Sequence, residues 1–259
     1  MRRRAAEAYY RLRSRPPFVA RLRPAAPPDF VGIGAQRAGT SWWHSLVEAH
    51  PQVHALGWPF KELHFFDGRT DDSFGDADVR AYHEWFRRPS GRIAGEWTPR
   101  YMYDPATPAL LRRAAPDARL LVMLRDPVAR FRSGYAHALA RGVAPPDAFE
   151  DALARGLYHA QLTNVLASYP REQLLVLQFE RCVAEPAAML ARTYAFLGLS
   201  TVTGAIALDP VNRGRAAPPP PLRADEIARV HDAYAPDVAA LVSAFPEIDA
   251  ALWPEVGAG

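Results

Sequence analysis

Residues 34–41 read GAQRAGTS: Gly34, four residues, Gly39, then Thr40 and Ser41. Glycines let a backbone approach an anion closely, and N–H groups at the head of a following helix carry positive partial charge. Arg37, inside the loop, adds a full charge and a planar fork suited to a tetrahedral oxyanion. The spacing is nearly that of a nucleotide-triphosphate loop, but Thr40 stands where such a loop has its lysine. A ligand-free strand-to-helix turn would use the same glycines and hydroxyls. The arginine turns the reading toward anion binding, through Arg37, Ala38, Gly39, Thr40 and Ser41.

Three further stretches carry chemistry. In LLVMLRDPVARFRSGY, Arg125 follows an apolar run and Ser133 lies eight residues on, so the two could converge on a second phosphate. The bland alternative pairs Arg125 with Asp126 or Glu150. A rival one makes Asp126 a magnesium ligand at a strand end. In FKELHFFD, the chain's single lysine, Lys61, adjoins Glu62, with His64 two residues further. An extended segment would point Glu62 and His64 to one side and Lys61 to the other. Glu62 or His64 could take a proton from an acceptor hydroxyl, unless the group is only a surface salt bridge. NRGR sets Arg213 and Arg215 around Gly214, either as anion ligands or as solvated charge.

These groups need a scaffold, and the chain alternates strands with helices. Apolar, partly β-branched runs at 29–34, 92–99, 118–127 and 172–180 read as strands. Helical spacing follows at 41–50, 76–88, 106–116, 128–142, 146–156, 158–170 and 185–199, and at 222–245 on both sides of Pro236. Residues 55–67 read as irregular to extended. The order predicts an α/β fold: a single domain over residues 29–255, with a mostly parallel central sheet flanked by helices. Ligands on such sheets bind at the carboxyl ends of the strands, where Arg37 and Arg125 fall.

Composition sets the outer bounds. At 259 residues and 49% hydrophobic, the chain can bury a real core, yet no apolar stretch reaches the roughly 20 residues of a membrane span. A single cysteine, Cys182, excludes an internal disulfide framework and cysteine-rich metal sites, and fits a cytoplasmic setting. Residues 1–23 hold eight arginines against one glutamate, a net of +7, so with +3 overall the remainder is net −4. The basic arm, residues 1–28, could touch a membrane surface, or be a solvated terminus. Thirty arginines against one lysine suggest a GC-rich bacterial genome.

Taken in this order, the motifs resemble sulfotransferases that use 3′-phosphoadenosine 5′-phosphosulfate (PAPS). Within them the chain looks most like bacterial members related to heparan-sulfate sulfotransferase domains. GAQRAGTSWW is similar to the 5′-phosphosulfate loop, and RDPVARFRSGY to the 3′-phosphate motif. KELHFFD and GEWTPRYMYDP are similar to segments lining the acceptor site, and NRGR occupies the place of a late loop over the nucleotide. The resemblance implies a P-loop-like loop holding the 5′-phosphosulfate through Arg37 and residues 38–41. It places the 3′-phosphate on Arg125 and Ser133, with support from Arg213, Gly214 and Arg215. Glu62 is the implied catalytic base, with His64 as the alternative, and Lys61 is placed near the sulfuryl oxygens. The product would be adenosine 3′,5′-bisphosphate, the acceptor a small molecule or glycan offering a hydroxyl or, second, an amine. No metal and no nucleic acid are implied. Two departures stand out: Arg37 replaces the usual loop lysine, and Trp97 stands where glucosaminyl relatives often carry lysine. A cluster of aromatics (Phe60, Phe65, Phe66, Trp97, Tyr101, Tyr103 and Trp58) reads either as an apolar acceptor site or as core. A P-loop kinase and a non-catalytic nucleotide-binding relative remain as alternatives.

Overall fold

The computed structural model describes residues 23–56, 60–200 and 221–256. Trp58, the NRGR arginines and most of the basic arm lie outside them. In chain order the elements are β1 (Phe30–Gly34), α1 (Thr40–Glu48), α2 (Asp76–His83), β2 (Gly95–Trp97), α3 (Thr107–Ala114), β3 (Arg119–Leu124), α4 (Pro127–Ala140), α5 (Pro145–Ala154), α6 (Tyr158–Leu166), β4 (Leu174–Gln178), α7 (Phe179–Ala184), α8 (Pro186–Leu197) and α9 (Ala224–Ala244). The expected α/β architecture is the one observed.

The four strands form a parallel sheet in the order β2-β1-β3-β4. β1 and β4 are buried along their whole lengths, and β3 at all but its first residue. That is why they read as unbroken apolar runs: helices cover a parallel sheet on both faces. On one side α1 is fastened to α8, through Trp43 Nε1 donating to Thr193 Oγ1 at 3.1 Å and Tyr194 to the Leu46 carbonyl at 2.8 Å. A second apolar cluster, with Phe131, Phe149 and Tyr234 at its centre, seats α4 against α5 and α9.

Several boundaries are tighter than the sequence expectation, β2 at Gly95–Trp97 and β3 at Arg119–Leu124 among them. The last strand, expected over 172–180, stops at Gln178, and Phe179 and Glu180 begin α7. The final helix lies on both sides of Pro236 as expected, and α9 runs unbroken through it for 21 residues.

Gly32 of β1 makes room for Trp97 of β2. A Cβ there would stand 2.0 Å from the Trp97 indole, whose Nε1 donates to the Gly34 carbonyl at 3.2 Å. Trp97 is thus core, fixed across the start of the loop. Phe65, Phe66 and Tyr101 are buried with it, so the core reading holds for them.

Candidate active site

β1 delivers the chain into the loop at 35–39, and α1 begins at Thr40. Arg37 takes a left-handed backbone (φ 69°), as does Gly39 (φ 88°). For a non-glycine residue this conformation is costly and is kept where the surroundings fix it. Gly39 is the N-cap of α1, without a side-chain cap; its carbonyl accepts from Trp42 and Trp43 N–H at 3.1 and 3.2 Å, which leaves the Thr40 and Ser41 N–H groups without an acceptor in their own helix. A Cβ on Gly39 would lie 2.6 Å from the Phe179 ring, which forms the floor of the loop.

The second anion motif closes on the first. Arg37 Nε donates to Ser133 Oγ at 3.0 Å, joining the loop to α4. Arg125, just past β3, reaches the Arg37 carbonyl with Nη1 at 3.5 Å and lies 5.5 Å from the centre of the Phe179 ring. Among the described residues neither guanidinium has a carboxylate partner. Burial lowers the Arg37 pKa, and the neighbouring Arg125 charge lowers it further. Two like charges packed together this way call for an anion between them.

The bland pairings of Arg125 fail for definite reasons. Glu150 is held by Arg229 at 2.7 Å. Asp126 is the buried N-cap of α4: Oδ1 accepts from Val128 and Ala129 N–H at 2.9 and 3.1 Å, and Oδ2 from Glu255 N–H at 3.0 Å. Its carboxylate is spent on capping, with Pro127 in the first turn behind it. The Walker-type magnesium reading of Asp126 therefore loses its ligand. Among the described residues no group of three or more His, Cys, Asp or Glu is placed to hold a metal ion.

Arg125 itself is fixed by its backbone. Tyr158 donates to the Arg125 carbonyl at 2.9 Å, and Glu180 accepts the following N–H, of Asp126, at 2.9 Å.

The third motif forms a chain of alternating charges. Lys61 Nζ donates to Glu62 Oε1 at 2.8 Å and lies 3.3 Å from Thr40 Oγ1. Glu62 Oε2 meets His64 Nε2 at 3.2 Å, and His64 Nδ1 meets Asp67 Oδ2 at 3.1 Å. Arg100 Nε approaches the same Asp67 oxygen at 3.4 Å. The expected split, with Lys61 pointing away from Glu62, does not occur. Residues 60–61 form a turn and His64 adopts a left-handed backbone (φ 51°), so strand alternation does not apply. All three side chains gather on one side, beside the head of α1.

The charges reinforce one another. Burial would raise the Glu62 pKa, but the His64 hydrogen bond and the Lys61 charge hold it at about 2. Burial would likewise lower His64, but Asp67 and Glu62 push it up to about 9. At neutral pH Glu62 is therefore a carboxylate and His64 an imidazolium. The sequence reading passed over Asp67 and Phe179. Asp67 was legible as the acid ending KELHFFD, whereas nothing local marks Phe179.

The sulfotransferase domain family matches residues 27–208. Heparan sulfate glucosamine 3-O-sulfotransferase 6 of Mus musculus is 31% identical over 194 residues, covering 68% of this chain and 53% of its own length. Heparan sulfate glucosamine 3-O-sulfotransferase 3B1 of Mus musculus is 31% identical over 198 residues, covering 68% and 47%. The chain thus spans about half the length of these curated relatives. Among solved structures, a sulfotransferase from Alicyclobacillus acidocaldarius superposes with a TM-score of 0.67 at 27% identity, covering 88% of this chain and 99% of that one. A sulfotransferase domain from the curacin biosynthetic pathway shares the fold, with a TM-score of 0.58 at 13% identity. Among the described residues no helix is long and apolar enough to cross a membrane.

Proposed function

The chain belongs to the sulfotransferase domain family, and from that premise we propose that it transfers a sulfuryl group from PAPS to an acceptor hydroxyl. The observation that carries the reading is the convergence of Arg37, Ser133 and Arg125, two cations and a hydroxyl without a counter-acid among the described residues.

In this reading the loop N–H groups at 38–41 and Arg37 hold the 5′-phosphosulfate, and Arg125 with Ser133 holds the 3′-phosphate. Arg213, Gly214 and Arg215, which the resemblance adds to the 3′-phosphate site, lie outside the described residues. PAPS supplies an activated sulfuryl group with adenosine 3′,5′-bisphosphate as its leaving group. The acceptor oxygen forms a bond to sulfur as the sulfur–oxygen bond to the phosphate breaks, and the acceptor proton passes to Glu62. Little covalent work falls to the protein, so positioning and charge dominate. Arg37, always charged, offsets the negative charge gathering on the departing phosphate.

Glu62 is favoured over His64 as the base. Both imidazole nitrogens lie against carboxylates, and a group pushed up to about 9 is already protonated at neutral pH. Lys61 bridges Glu62 to Thr40, at the start of α1, and so ties the base to the loop. A small molecule or glycan hydroxyl, with an amine second, fits such a site. The buried, unpaired Cys182 is in keeping with a cytoplasmic setting.

Calorimetry with adenosine 3′,5′-bisphosphate, and separately with ATP and magnesium, tests the donor. Tight binding of ATP alone would overturn the reading in favour of a kinase. An acceptor screen read by the mass gain of one sulfuryl group tests the transfer. Bisphosphate binding with no transfer to any acceptor would leave a nucleotide-binding relative without turnover.

A further inference from the structure

Segment 61–67 carries the charged chain, yet none of it is helix or strand. Something outside it must hold its backbone, because His64 sits in a left-handed conformation that a β-carbon disfavours. Trp97 N–H donates to the Lys61 carbonyl at 2.9 Å, which fastens the start. The rest converges on one residue of β2.

Glu96 is 0% exposed. Its Oε2 accepts from Leu63 N–H at 3.1 Å and from the Thr98 hydroxyl at 2.5 Å. Its Oε1 accepts from the Tyr82 and Tyr101 hydroxyls at 2.9 and 3.0 Å. Two of those hydroxyls pass the effect on: Thr98 Oγ1 accepts from His64 N–H at 3.3 Å, and Tyr101 OH from Phe65 N–H at 2.9 Å. Three consecutive backbone N–H groups, of residues 63, 64 and 65, are therefore pinned to one carboxylate, the first directly and the others through one hydroxyl each.

We propose that Glu96 is a positioning residue for sulfuryl transfer, setting the backbone of residues 63–65 so that His64 lies between Glu62 and Asp67. This rests on Glu62 being the base. A fully buried carboxylate is expensive unless well bonded, and an apolar side chain would fill the same space at less cost. Here every donor around it either belongs to the charged segment or leads to it, apart from Tyr82. β2 is a rigid mount, since Glu96 is in register with Val31 of β1, the strand that feeds the anion loop. The same sheet edge thus places both the base and the donor loop.

The test removes the relays one at a time, so that the fold survives. Thr98→Val cuts the link to His64, and Tyr101→Phe the link to Phe65. Two properties are read: transfer rate against bisphosphate affinity, and the His64 titration midpoint by NMR, which needs no turnover. Each variant is expected to lose about 10- to 100-fold in kcat while bisphosphate affinity stays within about 2-fold. The His64 midpoint is expected to fall from about 9 toward its ordinary value. Glu96→Gln, which keeps an acceptor oxygen and the shape, should retain more of both than Glu96→Leu. Unchanged kcat and midpoint in both relay variants would overturn the proposal. So would losses that merely track the fraction of unfolded protein. If the wild type transfers to no acceptor, the His64 midpoint alone decides, and the failure then belongs to the functional reading.

Discussion

Arg37 and Ser133 are 96 residues apart in the chain, and the Arg37 Nε lies 3.0 Å from the Ser133 hydroxyl. The two phosphate motifs are therefore not independent. The residue expected at the 5′ end of the donor is held by the residue expected at the 3′ end. Ser133→Ala removes both a phosphate donor and the acceptor that orients Arg37. A hydrogen bond to a charged group contributes about 1.5–3 kcal/mol, so bisphosphate affinity should fall at least about 10-fold by calorimetry. Arg37→Lys keeps the charge but loses the Nε–H that reaches Ser133, and kcat/KM should fall by a similar factor or more. Unaltered affinity in Ser133→Ala would mean that the contact does not order the loop.

Glu62→Gln separates binding from chemistry. The amide keeps the shape and cannot accept the acceptor's proton. General bases contribute about 10²- to 10⁴-fold, so kcat should drop within that range while bisphosphate affinity stays near wild type. Retention of most of the transfer rate would move the base elsewhere in the site.

How far the sequence carries is clear from particular residues. β3 was legible because a strand covered on both faces must be apolar throughout, and α4 from the helical spacing of residues 128–142, whereas the capping role of Asp126 was not. That Arg37, Arg125 and Ser133 lie together was legible from residue type and position at the strand ends, and the structure joins Arg37 to Ser133 and Arg125 to the Arg37 carbonyl. The Lys61 orientation was not legible, because it depends on a left-handed backbone at His64, which few non-glycine residues adopt and which residue type alone does not announce. The aromatic residues stayed open between two readings, because composition cannot distinguish Trp97 packed on Gly32 from an indole lining a pocket. Glu96 was hidden for a related reason. Its role lies in which N–H groups meet it in space, and those come from a segment over thirty residues earlier.

The His64 chain predicts a pH dependence with a definite sign. Its pKa is raised to about 9 from an ordinary 6.5, so its stabilising contribution is complete below about 6.5 and is lost as pH rises through about 9. Glu62, held at about 2, contributes fully above its ordinary 4.5 and loses this as pH falls through about 2. Between pH 4.5 and 6.5 both contributions are whole. The wild-type melting temperature should therefore decline more between pH 6.5 and 9.5 than that of His64→Gln, which has nothing to lose there. By NMR the His64 midpoint should fall in Asp67→Asn, which leaves only Glu62 to hold the proton. A wild-type midpoint near 6.5 would remove the imidazolium from the chain.

Gly39 supplies the last prediction. Its φ of 88° and the 2.6 Å gap from a notional Cβ to the Phe179 ring both oppose a side chain. Gly39→Ala should destabilise by about 2 kcal/mol, part from the left-handed backbone and part from the clash. The two parts are separable. Phe179→Leu makes room at the ring but leaves φ unchanged, so adding it to Gly39→Ala should recover only the clash. The double variant should be less destabilised than the sum of the singles, by about 0.5–3 kcal/mol in denaturant unfolding, as expected for residues in contact. Phe179 also lies beneath Arg125, so Phe179→Leu alone should weaken bisphosphate binding modestly, by about 2- to 5-fold, through the lost cation–π contact. Strict additivity in the cycle would show that the ring is not what excludes a side chain at position 39. The glycine would then be required only by the backbone turn into α1.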